Sequence, residues 1–515
     1  MPEDRQMKIN NTAYQQASTE FHRINPAQWI WAGKETTAIN QYAEFRRDFF
    51  LDKLPSEPGM LQISADKDYV LWLNGCYIAC GQFSDYPDEK TYDCLDLASH
   101  LVIGQNVLCV LVYCDGEDSA TYRKGPAGLW FRLDLAEMKL ASDEKTLSRL
   151  SSTYRSGSMP RLTGQLSFTY EYDAGAEDNW LQPEYLATGS WQPSTTYERI
   201  FNGKETVISH RPVPKLTMKE SVPARIVAQG VFVRMKQNGY STARLMQTDY
   251  LSPLIFSALF SGSDSYSLPS AQGCRLSDQS DKKADGVYLV IDLGREEAGY
   301  FTLDLAACAG TIVEIGYGQH LDDMRVRSYV GGRNFANRYI CKEGRQHFTH
   351  YTTRLGGRYI QLHISNIRDV FVLYDASIKP AEYPVTIKGA FSSPNALWNK
   401  IYEVGIRTLH LCMHEHYEDT PWREQALYSM DSRNQALCGY YCFGDYDFAA
   451  ASFDLLGKGL EQDGYLELCA PARVPITIPS FSMAWILELA DHMLYSGATD
   501  LVQRSLPLVK AMLDA

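Results

Sequence analysis

Apolar and polar residues alternate with a period of two through most of the first 390 positions, and the period then lengthens. Residues 42–50, 62–65 and the alternating Tyr69, Leu71 and Leu73 predict strands. Asn74-Gly75 follows them. An Asn-Gly step between alternating runs predicts a hairpin, because a type I′ turn needs positive φ at both central residues. Residues 106–114 form a nearly continuous apolar strand, and 128–135 another. Many short strands broken by Gly, Asp and Asn predict an antiparallel β-sandwich. A second block with the same signature has strands at 287–293, 299–305, 311–317, 339–341 and 358–364. Between the strands, polar residues 137–165 read as an excursion, with 170–173, Trp191 and Tyr197 returning to the first block. The proline-rich stretch 210–223 reads as an extended linker, and the serine-rich tract 257–281 as a surface loop.

Beyond residue 390 the period becomes helical. Leu397, Ile401, Val404 and Thr408 follow Ser393-Pro394-Asn395, a helix-start signal. Further helices are predicted over 421–443, 446–461, 480–496 and 498–513, with Gly444 and Gly497 as stops. Helices in succession with short links predict stacked α-hairpins. The boundaries expected are an extension at 1–27, a first β-sandwich at 28–222, a second at 223–388 and a helical region at 389–515.

Composition narrows the function classes. A chain of 515 residues is too long for one core. A net charge of −13 argues against a nucleic-acid groove or an anionic membrane surface and fits neutral ligands. Aromatic residues reach 12%, and their rings either stack on sugars or, more commonly, fill sandwich cores. The N-terminus shows no apolar signal region, and no window approaches the ~18 apolar residues of a membrane span. The twelve cysteines are scattered, the pairs Cys76/Cys80 and Cys438/Cys442 lack nearby histidines, and they read as mostly buried free thiols. Free thiols imply a reducing compartment, so a cytoplasmic location is expected.

The candidate chemistry concentrates at 414–431, HEHYEDTPWREQALYSMD, where five carboxylates stand at the change of period. Thr420 as N-cap and Pro421 at the first helical position predict a helix start. Glu424, Tyr428, Asp431 and Gln435 would then line one face. Glu424 and Asp431 would lie two turns, or ~10 Å, apart. Carboxylates roughly 6.5–9.5 Å apart suit inverting glycoside hydrolysis, because a water must fit between base and sugar. Asp419 adds a third carboxylate. A helix start favours ionised acids, whereas neighbouring acids favour protonated ones. The plainer alternative is a solvated acidic helix start with Arg423 in an ion pair. His414 and His416 lack further ligands for a metal. There is no GxSxG or P-loop motif, and no GxGxxG opens a βαβ unit.

The stretch DTPWREQALYSMD resembles the Asp-x-Pro-x-Arg-(Asp/Glu) signature of glycoside hydrolase family 78, the α-L-rhamnosidases. YVLWLNGCYIACG and GQNVLCVLVYCDG look like that family's N-terminal sandwich. VIDLGREEAGYFTLDL, GYGQHLDD and TTRLGGRYIQLHI look like its following β-domain. FSSPNALWNKIYEVGIRT and IPSFSMAWILELADHMLYSGATD look like parts of its helical domain. The resemblance implies two antiparallel β-sandwiches followed by the first helices of an (α/α)6 toroid. It implies an inverting glycosidase acting on terminal α-L-rhamnose. Glu424 matches the general acid, and Asp419 and Asp431 match sugar-holding carboxylates. Arg423, Tyr428 and Phe481 match substrate-binding positions. Gln425, Ala426 and Ser429 depart from the usual pattern, which bears on subsite shape. Five helices cannot close a ring of six hairpins, and the family's general base lies late in that ring. The chain is therefore expected to be C-terminally incomplete and, alone, to lack the base. No cofactor is implied. Structural calcium would be compatible with such a protein, but no acidic loop requires it. The expected partner is a carbohydrate, with no nucleic acid and no membrane; self-association is left open. The competing readings are a carbohydrate-binding protein without hydrolysis and a structural adaptor.

Overall fold

The computed structural model describes residues 27–135, 138–235, 238–253, 260–261, 266–276, 284–369 and 371–514. Most of the expected N-terminal extension and much of the serine-rich tract lie outside these residues. The chain builds β-sheets first and a group of helices last.

Two sheets face each other in the first block. One has seven strands and is centred on Leu129–Leu135 and Met60–Ala65; the other has six and is centred on Gln41–Leu51 and Gly104–Cys114. Alternation sends Phe45, Leu71, Val110 and Val112 from one sheet, and Leu61, Ile63, Phe131 and Leu133 from the other, into a shared core. Asn74 and Gly75 have φ of +53° and +78°, as the hairpin between Asp68–Leu73 and Cys76–Cys80 requires. The 137–165 excursion is corrected. Met138–Ala141 joins the seven-stranded sheet and Leu147–Leu150 the six-stranded one. Each strand has four residues, too few to display a period in the surrounding polar sequence. The linker at 210–223 is likewise partly strand: Val207–His210 pairs in parallel with Glu89–Asp96, and Thr217–Met218 pairs with Phe371–Glu382.

The second block is a thirteen-stranded sheet. The two strands expected at 287–293 and 299–305 are one 22-residue strand, Gly286–Ala307. Its register against Leu355–Ser365 shifts between Asp292 and Glu297, where Gly294 adopts a φ of +78°. The glycine that reads as a strand end instead forms a bulge within a continuing strand. This sheet and the outer face of the six-stranded sheet share a large core containing Tyr42, Val70, Leu111, Phe301, Leu303 and Leu362.

An unpredicted short helix, α1 (Thr242–Thr248), is capped by the Ser241 hydroxyl, which accepts from the Arg244 N–H. The C-terminal region contains α2 (Ala396–Leu411), α3 (Ser429–Cys442), α4 (Tyr446–Gly457), α5 (Pro479–Ser496) and α6 (Asp500–Asp514). Gly497 ends α5 with a φ of +72°. Leu409, Ala436, Phe448, Phe453, Trp485 and Leu489 pack between these helices. Leu397, Trp398, Ile401 and Val404 on α2 are exposed. The two halves of the chain interpenetrate. Phe83, Tyr86 and Tyr383 of the β region enter the helical core, while Trp422 of the helical region enters the core of the second β block.

Candidate active site

The expected helix at 421–443 begins only at Ser429. Residues 420–428 form a folded loop, and three constraints make it so. Trp422 is buried, with its ring 4.7 Å from Phe335. Gln425 adopts a φ of +51°. The Gln425 amide donates to the Pro421 carbonyl at 2.9 Å. Gly356 makes the close approach possible, because a Cβ there would sit 1.9 Å from the Pro421 oxygen. Insertion into the β block overrides the Thr-Pro helix signal. Glu424, Tyr428, Asp431 and Gln435 therefore do not share one helical face. Glu424 lies in the loop, Tyr428 caps α3, Asp431 occupies its first turn, and Gln435 donates to the Glu418 carbonyl at 2.7 Å.

The loop nevertheless brings Glu424, Tyr428 and Phe481 together and couples the three carboxylates electrostatically. The Tyr428 hydroxyl donates to Glu424 Oε2 at 2.9 Å. Arg333, from a hairpin of the second β block, places Nη2 4.0 Å from Glu424 Oε1. Asp419 Oδ1 accepts the Ala426 N–H at 3.1 Å. Burial pushes the Asp419 carboxyl up to about 7; its backbone hydrogen bond opposes this, and the Glu424 and Glu418 carboxylates reinforce it. Burial also raises Asp431, with Glu424 adding to the effect. Phe481 meets Tyr428 edge-on, with ring centroids 6.2 Å apart. Arg423 is exposed, and no ion pair is found for it among the described residues.

Behind this group is a buried clamp. Arg354 from the second β block reaches Glu418 at 2.5 Å and Glu415 at 3.3 Å. His414 Nδ1 lies 3.0 Å from Glu418. Burial alone would raise Glu418, but Arg354 and His414 outweigh it and hold the carboxyl at about 2. Burial lowers His416, whose Nδ1 lies 2.7 Å from the Tyr417 carbonyl oxygen. Arg354 and Arg333 escape the sequence reading because their partners are 61 to 91 residues away. Among the described residues, the one compact trio of metal-ligand types is Asp249, Glu314 and His363. Arg234 pairs with Glu314 at 2.5 Å and Asp249 at 3.3 Å, and Arg338 pairs with Glu314 at 3.1 Å. Those guanidinium groups already balance the trio's charge.

Sheets followed by helices, with a carboxylate-rich loop at their junction, have the general fold of a glycoside hydrolase. Two stretches of the chain match family models of bacterial α-L-rhamnosidase domains. Residues 282–376 match the bacterial α-L-rhamnosidase concanavalin-like domain, and residues 387–515 match the bacterial α-L-rhamnosidase 6 hairpin glycosidase domain. The chain is similar to the family 78 rhamnosidase of Bacillus sp. GL1, with TM-score 0.83, 22% identity, and coverage of 95% of this chain and 69% of that one. It is also similar to the α-L-rhamnosidase of Dictyoglumus thermophilum, with TM-score 0.66, 17% identity, and coverage of 94% and 50%. For the Streptomyces avermitilis α-L-rhamnosidase complexed with L-rhamnose, the TM-score is 0.64, identity is 16%, and coverage is 92% and 42%. No curated protein matches the chain. Among the described residues, no helix is long and apolar enough to cross a membrane.

Proposed function

We propose that this chain carries an inverting α-L-rhamnosidase site in which Glu424 protonates the glycosidic oxygen. The observation that carries the reading is the Glu424–Tyr428–Arg333 contact group on the loop opening the matched hairpin domain. Asp419, protonated up to about pH 7, donates to a sugar hydroxyl, and Asp431 holds a second. The apolar edge formed by Tyr428 and Phe481 receives the methyl group of a 6-deoxy sugar. Arg423, exposed beside Glu424, contacts substrate from the rim. In this reading the domains are two β-sandwiches at 28–222 and 223–388, then toroid helices from 389. The resemblance supports inversion, in which a water activated by a base attacks the anomeric carbon from the opposite face.

The test is hydrolysis of an aryl α-L-rhamnoside by the protein and by Glu424→Gln. A positioned acid contributes about 10²–10⁴-fold, so kcat should fall by that amount. Unchanged turnover would remove Glu424 from the acid role. The second reading, carbohydrate binding without hydrolysis, is favoured by the aromatic surfaces of the β blocks. Saturable L-rhamnose binding with no turnover under any condition would select it.

A further inference from the structure

Between the six-stranded sheet of the first block and the second β block lies a cleft of about 320 Å³. It shares no lining residue with the Glu424 group. That volume is at the lower end of the roughly 300–1,000 Å³ typical of small-molecule sites. Its walls are aromatic. Trp72 meets Trp180 edge-on, with centroids 6.0 Å apart. Tyr172 packs on Phe348 at 4.6 Å, and Tyr351 stacks on Tyr77 at 4.6 Å. Trp72, Trp180, Tyr172 and Tyr351 are only half-buried, although they lie at the seam of two packed blocks. The indole N–H groups of Trp72 and Trp180 have no acceptor among the described residues.

One wall, residues 177–182, has no regular secondary structure yet is tied down at several points. Arg46 donates to the Trp180 and Gln182 carbonyls at 2.6 and 2.9 Å. Arg149 grips both oxygens of Asp178 at 2.6 and 2.9 Å. Lys342 pairs with Glu177 at 2.6 Å. A wall fixed in this way loses little freedom when a ligand arrives. The pairing also sets the ligand's charge. Glu44, Glu177 and Asp178 already have cationic partners, so the cleft offers an anion no unpaired cation. The lining thus combines ring faces for C–H groups, free N–H donors and carboxylate oxygens able to accept from hydroxyls.

We propose that this cleft is a second binding site, separate from the candidate active site, for a neutral pyranose residue of a glycan or glycoside. It does not depend on Glu424 chemistry. The measurement is calorimetric titration of the Glu424→Gln/Asp431→Asn protein, in which the candidate active site is disabled. The probes are methyl α-L-rhamnopyranoside, methyl β-D-glucopyranoside and D-glucuronate. Saturable binding of at least one neutral glycoside is expected, with no binding of glucuronate. Trp180→Ala should weaken that binding at least tenfold. Because loss of Trp180 could disturb the seam, His347→Trp provides an independent check. His347 is an exposed lining residue, and a larger ring there obstructs the cleft from its rim. It too should weaken binding at least tenfold. Absence of neutral-glycoside binding in the disabled protein overturns the proposal. So does binding that His347→Trp leaves unchanged, or a preference for glucuronate.

Discussion

Glu418 and Asp419 are adjacent in the chain and live in opposite environments. Glu418 is fully buried against Arg354 and His414 and is held at about 2. Asp419 accepts a backbone N–H and is pushed up to about 7 by burial, with the Glu424 carboxylate adding to the rise. One step along the chain therefore crosses from a clamp to a candidate site. The clamp fixes a permanent anion, whereas the site leaves a carboxyl able to keep its proton near neutrality. Two acids that look interchangeable in a sequence are thus assigned to anchoring and to chemistry by one arginine from another part of the chain.

Breaking the clamp should have the largest effect. Arg354→Met leaves Glu415 and Glu418 buried without their cation, and removing one partner of a buried pair costs about 3–5 kcal/mol. Denaturant unfolding at neutral pH should show that loss. The sign with pH follows from Glu418. Its lowered carboxyl contributes stability that is present above the unfolded value of 4.5 and fades as pH falls through about 2. The difference between wild type and Arg354→Met should therefore narrow in acid. A gap that stays constant down to pH 2 would mean that Arg354 acts by packing alone.

Trp422→Ala attacks the same junction from the apolar side. Replacing a buried tryptophan by alanine costs about 3–5 kcal/mol, and the lower end is expected because Trp422 lies at the margin of its cluster. Rhamnoside hydrolysis should fall as well, since Glu424 is two residues away on the loop that Trp422 pins. Normal activity in a correctly folded Trp422→Ala protein would show that the loop holds its shape without this anchor.

Much of this architecture was legible from the pattern. Alternation and apolar runs placed strands at 42–50, 62–65, 69–73 and 106–114, within two residues of those observed, and Asn74-Gly75 located a hairpin, because these signals are local. Gly497 marked the end of a helix for the same reason. The site was legible in composition but not in shape. Thr420-Pro421 is a sound local helix start, yet the structure uses it to begin a loop, because Trp422 finds a place in a core that draws on residues from Tyr42 to Ile378. Gly356 permits that approach from a strand sixty-five residues before Pro421. Arg333 and Arg354 belong to the same class of information: their roles exist only once the second β block and the loop meet. Strands 138–141 and 147–150 were missed for a different reason, since four residues each are too few to display a period.

Asp419→Asn probes the site side of the comparison and should have a smaller effect of the opposite sign. A carboxyl raised from 3.8 to about 7 weakens the fold as it ionises, so its cost is absent below 3.8 and complete above 7. The amide cannot ionise. Asp419→Asn should therefore be more stable than wild type at pH 8, on the order of 1–2 kcal/mol once solvent screening at this partly exposed group is included, with no gain at pH 3.5. Activity should fall above pH 7 in the wild type as Asp419 loses its proton, and that limb should flatten in Asp419→Asn. An unchanged alkaline limb would assign it to another group.

Tyr428→Phe should have the smallest effect, and it separates holding Glu424 from walling the sugar. The substitution keeps the ring that meets Phe481 edge-on and removes only the hydroxyl that donates to Glu424 at 2.9 Å. A single hydrogen bond at a half-buried position is worth about 1 kcal/mol, which corresponds to less than tenfold in rate. If the hydroxyl orients the acid, kcat should fall by several-fold while KM stays near its wild-type value, because the sugar still meets the same ring face. If Tyr428 serves mainly as a wall, Phe should be silent in both parameters and Tyr428→Ala should raise KM instead. A KM increase in Tyr428→Phe at unchanged kcat would instead place the hydroxyl on the substrate, leaving Arg333 as the neighbour that orients Glu424.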